Sequence, residues 1–164
     1  MPTEAEQRIL NYLSEHSTMI LSTWGSDGPW ATPVFYVNLG FKLYFLSEPT
    51  TRHSLNLQQS PVAAAAVTED HHDWRTIQGL QLQGRAGLAG FRESARALAA
   101  YCQKFPDVKQ ILQKPGAFKG VAKARWHCLV PEALKFTDNS RVFGERFELR
   151  LSPNEAELNG SGPD

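Results

Sequence analysis

The sequence predicts a mainly-β protein, a small antiparallel β-barrel with α-helices packed at its ends. Three observations carry that fold class. Apolar and polar residues alternate at period two through several short stretches bounded by Gly, Pro, Asn or Asp. Gly79, Gly84 and Gly87 punctuate the longest alternating stretch, as in a strand that bends around a barrel. Helical periodicity is confined to the N-terminus, a short segment after residue 50 and an excursion that starts at Phe91.

Each element follows in order. Thr3-Glu4-Ala5-Glu6 fits a capping box, and Ile9, Leu10 and Leu13 continue it as a helix that ends near Ser17. Met19 to Trp24 is a strand, and Gly25-Ser26-Asp27-Gly28 turns it into a hairpin. Trp30 to Asn38 returns as the second strand. Pro33 removes a ladder donor there, which places the stretch at a sheet edge or a break in pairing. Leu39-Gly40 leads into a third strand, Lys42 to Ser47, and a short helix spans residues 51–59 until Ser60-Pro61 stops it.

Val62 to Thr68 is apolar at every position but the last and is expected to be central. Trp74 to Leu88 is a long fifth strand after the polar loop Glu69-Asp70-His71-His72-Asp73. Phe91 to Lys104 and Val108 to Gln113 are helical, with a break at Phe105-Pro106-Asp107, and Lys114-Pro115-Gly116 is a loop. Arg125 to Leu129, Ala133 to Thr137 and Arg146 to Leu151 are three further strands. Residues 1–152 make a single domain, and 153–164 form a frayed tail rich in Asn, Glu, Gly and Ser.

Composition excludes several classes. Seventeen basic and seventeen acidic residues cancel, so no basic face attracts nucleic acid or an anionic membrane. The longest apolar run, Val62 to Val67, is too short for a membrane span, and no signal peptide is visible, so a cytoplasmic protein is expected. Cys102 and Cys128 lack framework spacing and are taken as reduced packing thiols.

Common catalytic templates are missing: the sequence has no G-x-S-x-G, P-loop, G-x-G-x-x-G or H-E-x-x-H. His71-His72-Asp73 has no third ligand at suitable spacing, so no metal is assigned. In Trp126-His127-Cys128 the strand period puts His127 opposite the other two, and core packing accounts for Trp126 and Cys128.

The segment Pro49-Thr50-Thr51-Arg52-His53-Ser54-Leu55 stands out. It opens a helix directly after a strand, where unpaired backbone N–H groups and the positive end of the dipole suit a phosphate. Two hydroxyls, a guanidinium and an imidazole add donors. The competing reading is a Thr cap with Arg52 and His53 left in water. A ligand held by phosphate donors, strand edges and aromatic surfaces fits a cofactor that brings its own reactivity.

Lys42-Leu43-Tyr44-Phe45-Leu46-Ser47, then Thr51-Arg52-His53, then Leu57 and Ser60-Pro61-Val62-Ala63, resembles the FMN-binding split-barrel family of pyridoxamine phosphate oxidase. There a strand ending Y-T is followed by S-R-K, a short helix and N-P-x-A. The chain is most similar to the bacterial YhbP-type group, on Thr50-Thr51-Arg52-His53 and on Lys135-Phe136-Thr137-Asp138-Asn139 followed by Phe143-Gly144.

The resemblance implies an FMN-dependent oxidoreductase of unknown substrate, assembled as a homodimer with cofactor at the subunit interface. Deazaflavin, haem and biliverdin are alternatives, as is a non-redox binding module. It places Arg52 and His53 at the FMN phosphate with Thr50, Thr51 and Ser47 beside them, Thr32, Pro33 and Val34 along the flavin ring, and Gln78 and Gly79 near the ring or ribityl chain. Arg141 and Asn139 become substrate-side candidates. His53 replaces the family's lysine with a group that titrates near neutrality, which predicts weaker phosphate binding above about pH 7. Phe143 replaces its histidine, which argues against pyridoxamine phosphate oxidation.

Overall fold

The computed structural model describes residues 1–112, 123–152 and 155–156. The elements, in chain order, are α1 (Glu4–Glu15), β1 (Thr18–Gly25), β2 (Gly28–Phe35), β3 (Val37–Leu39), β4 (Lys42–Ser47), α2 (Arg52–Gln59), β5 (Val62–Thr68), β6 (Gln78–Leu88), α3 (Phe91–Lys104), α4 (Pro106–Leu112), β7 (Arg125–Asp138) and β8 (Glu145–Arg150). All strand pairs are antiparallel, in the order β2-β1-β5-β6-β7-β4-β3, with β8 added along β7. The sheet curls into a half-barrel, and β2 approaches β4 across the opening.

The mainly-β barrel with helices is therefore what the chain forms. β5 is central between β1 and β6, and β2, which carries Pro33, is a sheet edge. Both positions are those expected from apolar content and the missing proline donor.

Three boundaries differ from the sequence expectation. Trp30 to Asn38 is not one strand, because β2 pairs with β1 while β3 pairs with β4. The chain changes neighbours at Tyr36, whose N–H donates to the Ser17 carbonyl at 3.0 Å and whose hydroxyl donates to the Leu13 carbonyl at 2.8 Å. Trp74 to Thr76 is a single 3-10 turn rather than strand, since the Asp73 carboxylate accepts from Arg75 N–H at 2.9 Å and caps it.

The two strands expected at 125–129 and 133–137 are one continuous β7, with a register shift opposite Gln83 and Gly84. Pro131 and Glu132 supply the bulge, where a missing N–H costs no ladder bond. A Cβ on Gly84 would lie 2.0 Å from the Val130 carbonyl oxygen, so the strands meet here only because that position is glycine. The expected loop at 114–116, Gln113 and the 153–164 tail lie outside the described residues, except for residues 155–156.

The core lies inside the curl. Leu21, Phe41, Leu43, Phe45, Val67, Leu80, Leu129 and Phe136 are fully or nearly buried there. α1 covers one barrel end with Ile9, Tyr12 and Leu13. Its Arg8 donates to Asp138 Oδ2 at 2.5 Å and Glu145 Oε2 at 3.1 Å, with the guanidinium 4.5 Å from the Phe147 ring centroid. Burial alone would raise the Asp138 pKa, but hydrogen bonds from Ser140, Gln78 and Arg8 overcome it and hold the carboxyl at about 2.

α3 packs on the outside of β3 and β4 through Ala97, against Val37, Tyr44 and Cys128. Its Glu93 accepts from Lys42 Nζ at 3.2 Å and from the Tyr44 hydroxyl at 3.1 Å. Lys104, pushed down to about 8 by burial, donates to the Leu13 carbonyl at 3.2 Å near the end of α1. The helical excursion thus buttresses the barrel wall. Cys128 is a buried cysteine of this cluster and Cys102 a partly buried one, neither of them in a disulfide.

α2 covers the other barrel end. Leu57 enters the core, and Asn56 Nδ2 donates to Thr23 Oγ1 of β1 at 3.1 Å. The approach is tight: a Cβ on Gly25 would sit 2.0 Å from Asn56 Oδ1, yet 3.5 Å from Asn56 Cβ. Gly25→Ala should therefore lower stability by about 1–3 kcal/mol through overpacking. Combining it with Asn56→Ala should cost less than the sum of the single changes, as measured by urea denaturation. Additive effects would mean that α2 does not depend on this contact.

Candidate functional site

The last residue of β4, Ser47, and the first turn of α2 build the site. Thr51 occupies the N-cap position with extended backbone, but its side chain makes no capping bond. Its hydroxyl lies 2.9 Å from the Glu48 carbonyl oxygen, 3.1 Å from Ser47 Oγ, 3.1 Å from His53 Nε2 and 2.8 Å from Ser54 Oγ. The first-turn N–H groups of α2 are thus left without a side-chain cap, the condition an anion would use. The side-chain Thr-cap reading does not describe this helix. Thr50 is exposed beside it.

Arg52 does not lie in water either. Its Nη2 donates to the Asp27 carbonyl in the β1–β2 hairpin at 2.9 Å, and its guanidinium carbon lies 4.3 Å from the Trp30 ring centroid. Its Nε is buried and has no hydrogen-bond partner among the described residues. An unpaired buried donor on a permanent cation is costly unless an acceptor arrives. Arg52, the free first-turn N–H groups and the Ser47–Thr51 hydroxyls together fit a phosphate group.

His53 lies on the same first turn and faces the Ser47 and Thr51 hydroxyls. It is buried, with Nε2 against Ser47 Oγ, and its ring centroid is 6.5 Å from that of Phe45. Burial first, and the neighbouring His127 second, push its pKa below the usual histidine value. It is therefore neutral at pH 7, and the change in charge expected near neutrality moves to lower pH. Its Nε2 contacts the Ser47 and Thr51 hydroxyls.

The remaining candidates divide between the two barrel ends. Thr32 pairs with Leu21 and Trp30 with Thr23, so Thr32 lies on the same strand face as Trp30, two residues along. Val34 on that face packs against the core, and Pro33 points to the opposite face. Gln78 and Gly79 lie at the far end of β6, opposite Thr68, whereas α2 adjoins the Val62 end of β5. The length of β5 puts about 20 Å between the two groups.

At that far end Asn139 Nδ2 donates to the Trp74 carbonyl at 2.9 Å, and Asn139 Oδ1 accepts from Gly144 N–H at 3.1 Å. Arg141 is exposed and lies 3.7 Å from Glu4. Within one chain, then, Gln78, Gly79, Asn139 and Arg141 do not meet Arg52. His71 Nε2 accepts from Gln78 N–H at 3.3 Å and shapes its own loop, and among the described residues no group of three or more potential ligands could hold a metal.

Sequence reasoning missed Asp27 and Trp30, which only the hairpin register carries to α2. The spacing of Arg52, Asn56 and Gln59 on one helix face, all three bonded to the hairpin strands or turn, was the available signal.

Comparisons with known proteins bear on the family and the fold. The family profile described as pyridoxamine 5'-phosphate oxidase matches residues 5–127. A UPF0306 protein of Klebsiella pneumoniae is 29% identical over 143 residues, covering 85% of this chain and 88% of its own. The UPF0306 protein YhbP of Escherichia coli is 30% identical over 119 residues, 71% of this chain and 74% of that one. A haem-binding protein of Mycobacterium smegmatis shares the fold, with a TM-score of 0.70 at 20% identity, over 98% of this chain and 61% of that chain. With a profile that spans most of the barrel and relatives aligned along most of their length, the chain belongs to the pyridoxamine 5'-phosphate oxidase family, in its YhbP-type group.

Proposed function

We propose that the protein is an FMN-binding oxidoreductase that works as a homodimer and acts on a substrate other than pyridoxamine phosphate. The observation that carries the cofactor reading is Arg52, a cation held between Trp30 and the Asp27 carbonyl with a buried Nε that has no partner among the described residues. Arg52, the first-turn N–H groups of α2, Ser47 and Thr51 would hold the phosphate. FMN, when bound, supplies hydride and electron transfer at its ring. The chain's own residues anchor the phosphate, fix its orientation and border the ligand with the Trp30–Thr32 strand face.

The dimer reading is supported by the outer sheet face. Ile20, Trp24 and Val62 are exposed there at 39%, 60% and 59%, and Ala64 and Ala66 lie between them. Exposed apolar side chains beside small ones suit a second copy of the chain. Such a copy could also bring Gln78, Asn139 or Arg141 near Arg52, which one chain does not do.

Haem is the second reading, supported by the fold shared with the mycobacterial haem-binding protein. The absorbance of freshly purified protein separates them, since flavin gives two bands near the blue and haem a sharp Soret band.

Three outcomes are expected. Arg52→Ala should weaken FMN by about tenfold to a hundredfold in a fluorescence-quenching titration, the loss of one charge-assisted hydrogen bond; unchanged affinity would remove the phosphate from this helix. His53→Gln should cost less FMN affinity than Arg52→Ala at pH 7.5, because the imidazole there is neutral. Its depressed pKa means that the unfolded state takes up a proton first as pH falls below about 6.5, so wild-type stability drops. The melting temperature of His53→Gln should fall less than that of wild type between pH 7.5 and 5.5, and parallel curves would place the titration elsewhere. Finally, Ala64→Arg should yield monomers in sedimentation velocity and retain less FMN, whereas an intact dimer would put the interface on another face.

A further inference from the structure

The two flanks of α2 differ. Arg52, Asn56 and Gln59 bond to the hairpin side, whereas Ser54 and Leu57 line a cavity of about 390 Å³ between α2 and the adjoining ends of β6 and β7. That volume falls within the range of about 300–1,000 Å³ typical of small-molecule sites. Pro49, Leu57 and Leu88 make apolar walls, and β7 contributes two polar side chains, His127 and, at the rim, Arg125.

His127 is only 4% exposed. Its ring stacks on Phe45, with centroids 5.1 Å apart and planes 15° from parallel, so its orientation is fixed. Nδ1 lies 3.0 Å from the Arg125 carbonyl oxygen. A carbonyl can only accept, so Nδ1 carries the proton and Nε2 of the neutral ring offers a lone pair. Burial lowers the His127 pKa and keeps the ring neutral at pH 7. No described residue donates to Nε2. Ser54 faces the same cavity with its hydroxyl 2.8 Å from Thr51 Oγ1. Arg125, at the rim, donates to the Ala124 carbonyl at 3.1 Å.

Gln58 of α2 and Gly87 of β6 complete the lining. A Cβ placed on Gly87 would meet nothing within 4 Å, so the strand leaves the space open although the fold does not require glycine at this position.

We propose that this cavity binds a small, neutral aromatic molecule carrying one N–H or O–H donor, which His127 Nε2 accepts while the ring fills the space between Leu57, Leu88 and Gly87. The site lies on the opposite flank of α2 from Arg52 and does not depend on the FMN reading.

Calorimetric titration of the full chain with indole, and with benzothiophene as an isostere lacking the N–H, tests it. Indole should bind saturably and about three- to tenfold tighter than benzothiophene, the value of one neutral hydrogen bond. Gly87→Val should fill the cavity and abolish both, with the melting temperature and circular dichroism of wild type. His127→Phe should keep benzothiophene binding and lose the preference for indole. Absence of saturable binding in wild type, equal affinity for the two probes, or binding that survives Gly87→Val would overturn the proposal. Tighter binding of indole-3-carboxylate than of indole would overturn the neutral ligand class.

Discussion

The close approach of α2 to β1 is the constraint from which the candidate site follows. Gly25 has no side chain where Asn56 Oδ1 lies, and Asn56 uses that space to reach Thr23. Held at this distance, an eight-residue helix inserts Leu57 into the core and turns one flank to the hairpin and the other to β6 and β7. A helix this short has little stability of its own, so tertiary contacts determine it. Arg52 meets Asp27 and Trp30 because the same docking brings the helix start beside the hairpin.

The two barrel ends use electrostatics in different ways. At the α1 end, Arg8, Asp138 and Glu145 form a partly buried ionic group, and the bonds to Asp138 outweigh the cost of its burial. At the α2 end, burial keeps both His53 and His127 neutral, and their contacts are hydroxyls, a carbonyl and the Phe45 ring. On the hairpin flank of that end positive charge is carried by Arg52, which a ring face and a carbonyl hold without neutralising it. An oriented cation beside a helix start without a side-chain cap is an arrangement suited to an anion.

Particular residues show how far the sequence could be read. The short helix after β4, the edge placement of Pro33 and the central placement of β5 came from local rules: helical spacing closed by Ser60-Pro61, a missing donor and unbroken apolarity. The junction at Tyr36 and the bulge at Pro131 did not, because each depends on which strand lies alongside. The orientation of His53 was equally hidden. A histidine at the second position of a helix can face solvent or core, and burial against Ser47 and Phe45 decided it.

The sequence by itself determined the antiparallel barrel class, the placement of the helices between runs of strands, and a donor-rich helix start after β4. It did so because period-two alternation, glycine and proline act within a few residues of themselves. Tertiary structure alone decided that Arg52 is oriented by Trp30 and Asp27, that His53 is neutral, and that Gln78, Asn139 and Arg141 stand at the other end of the barrel. Those facts are distances between segments far apart in the chain, and only the strand register and the docking of α2 set them.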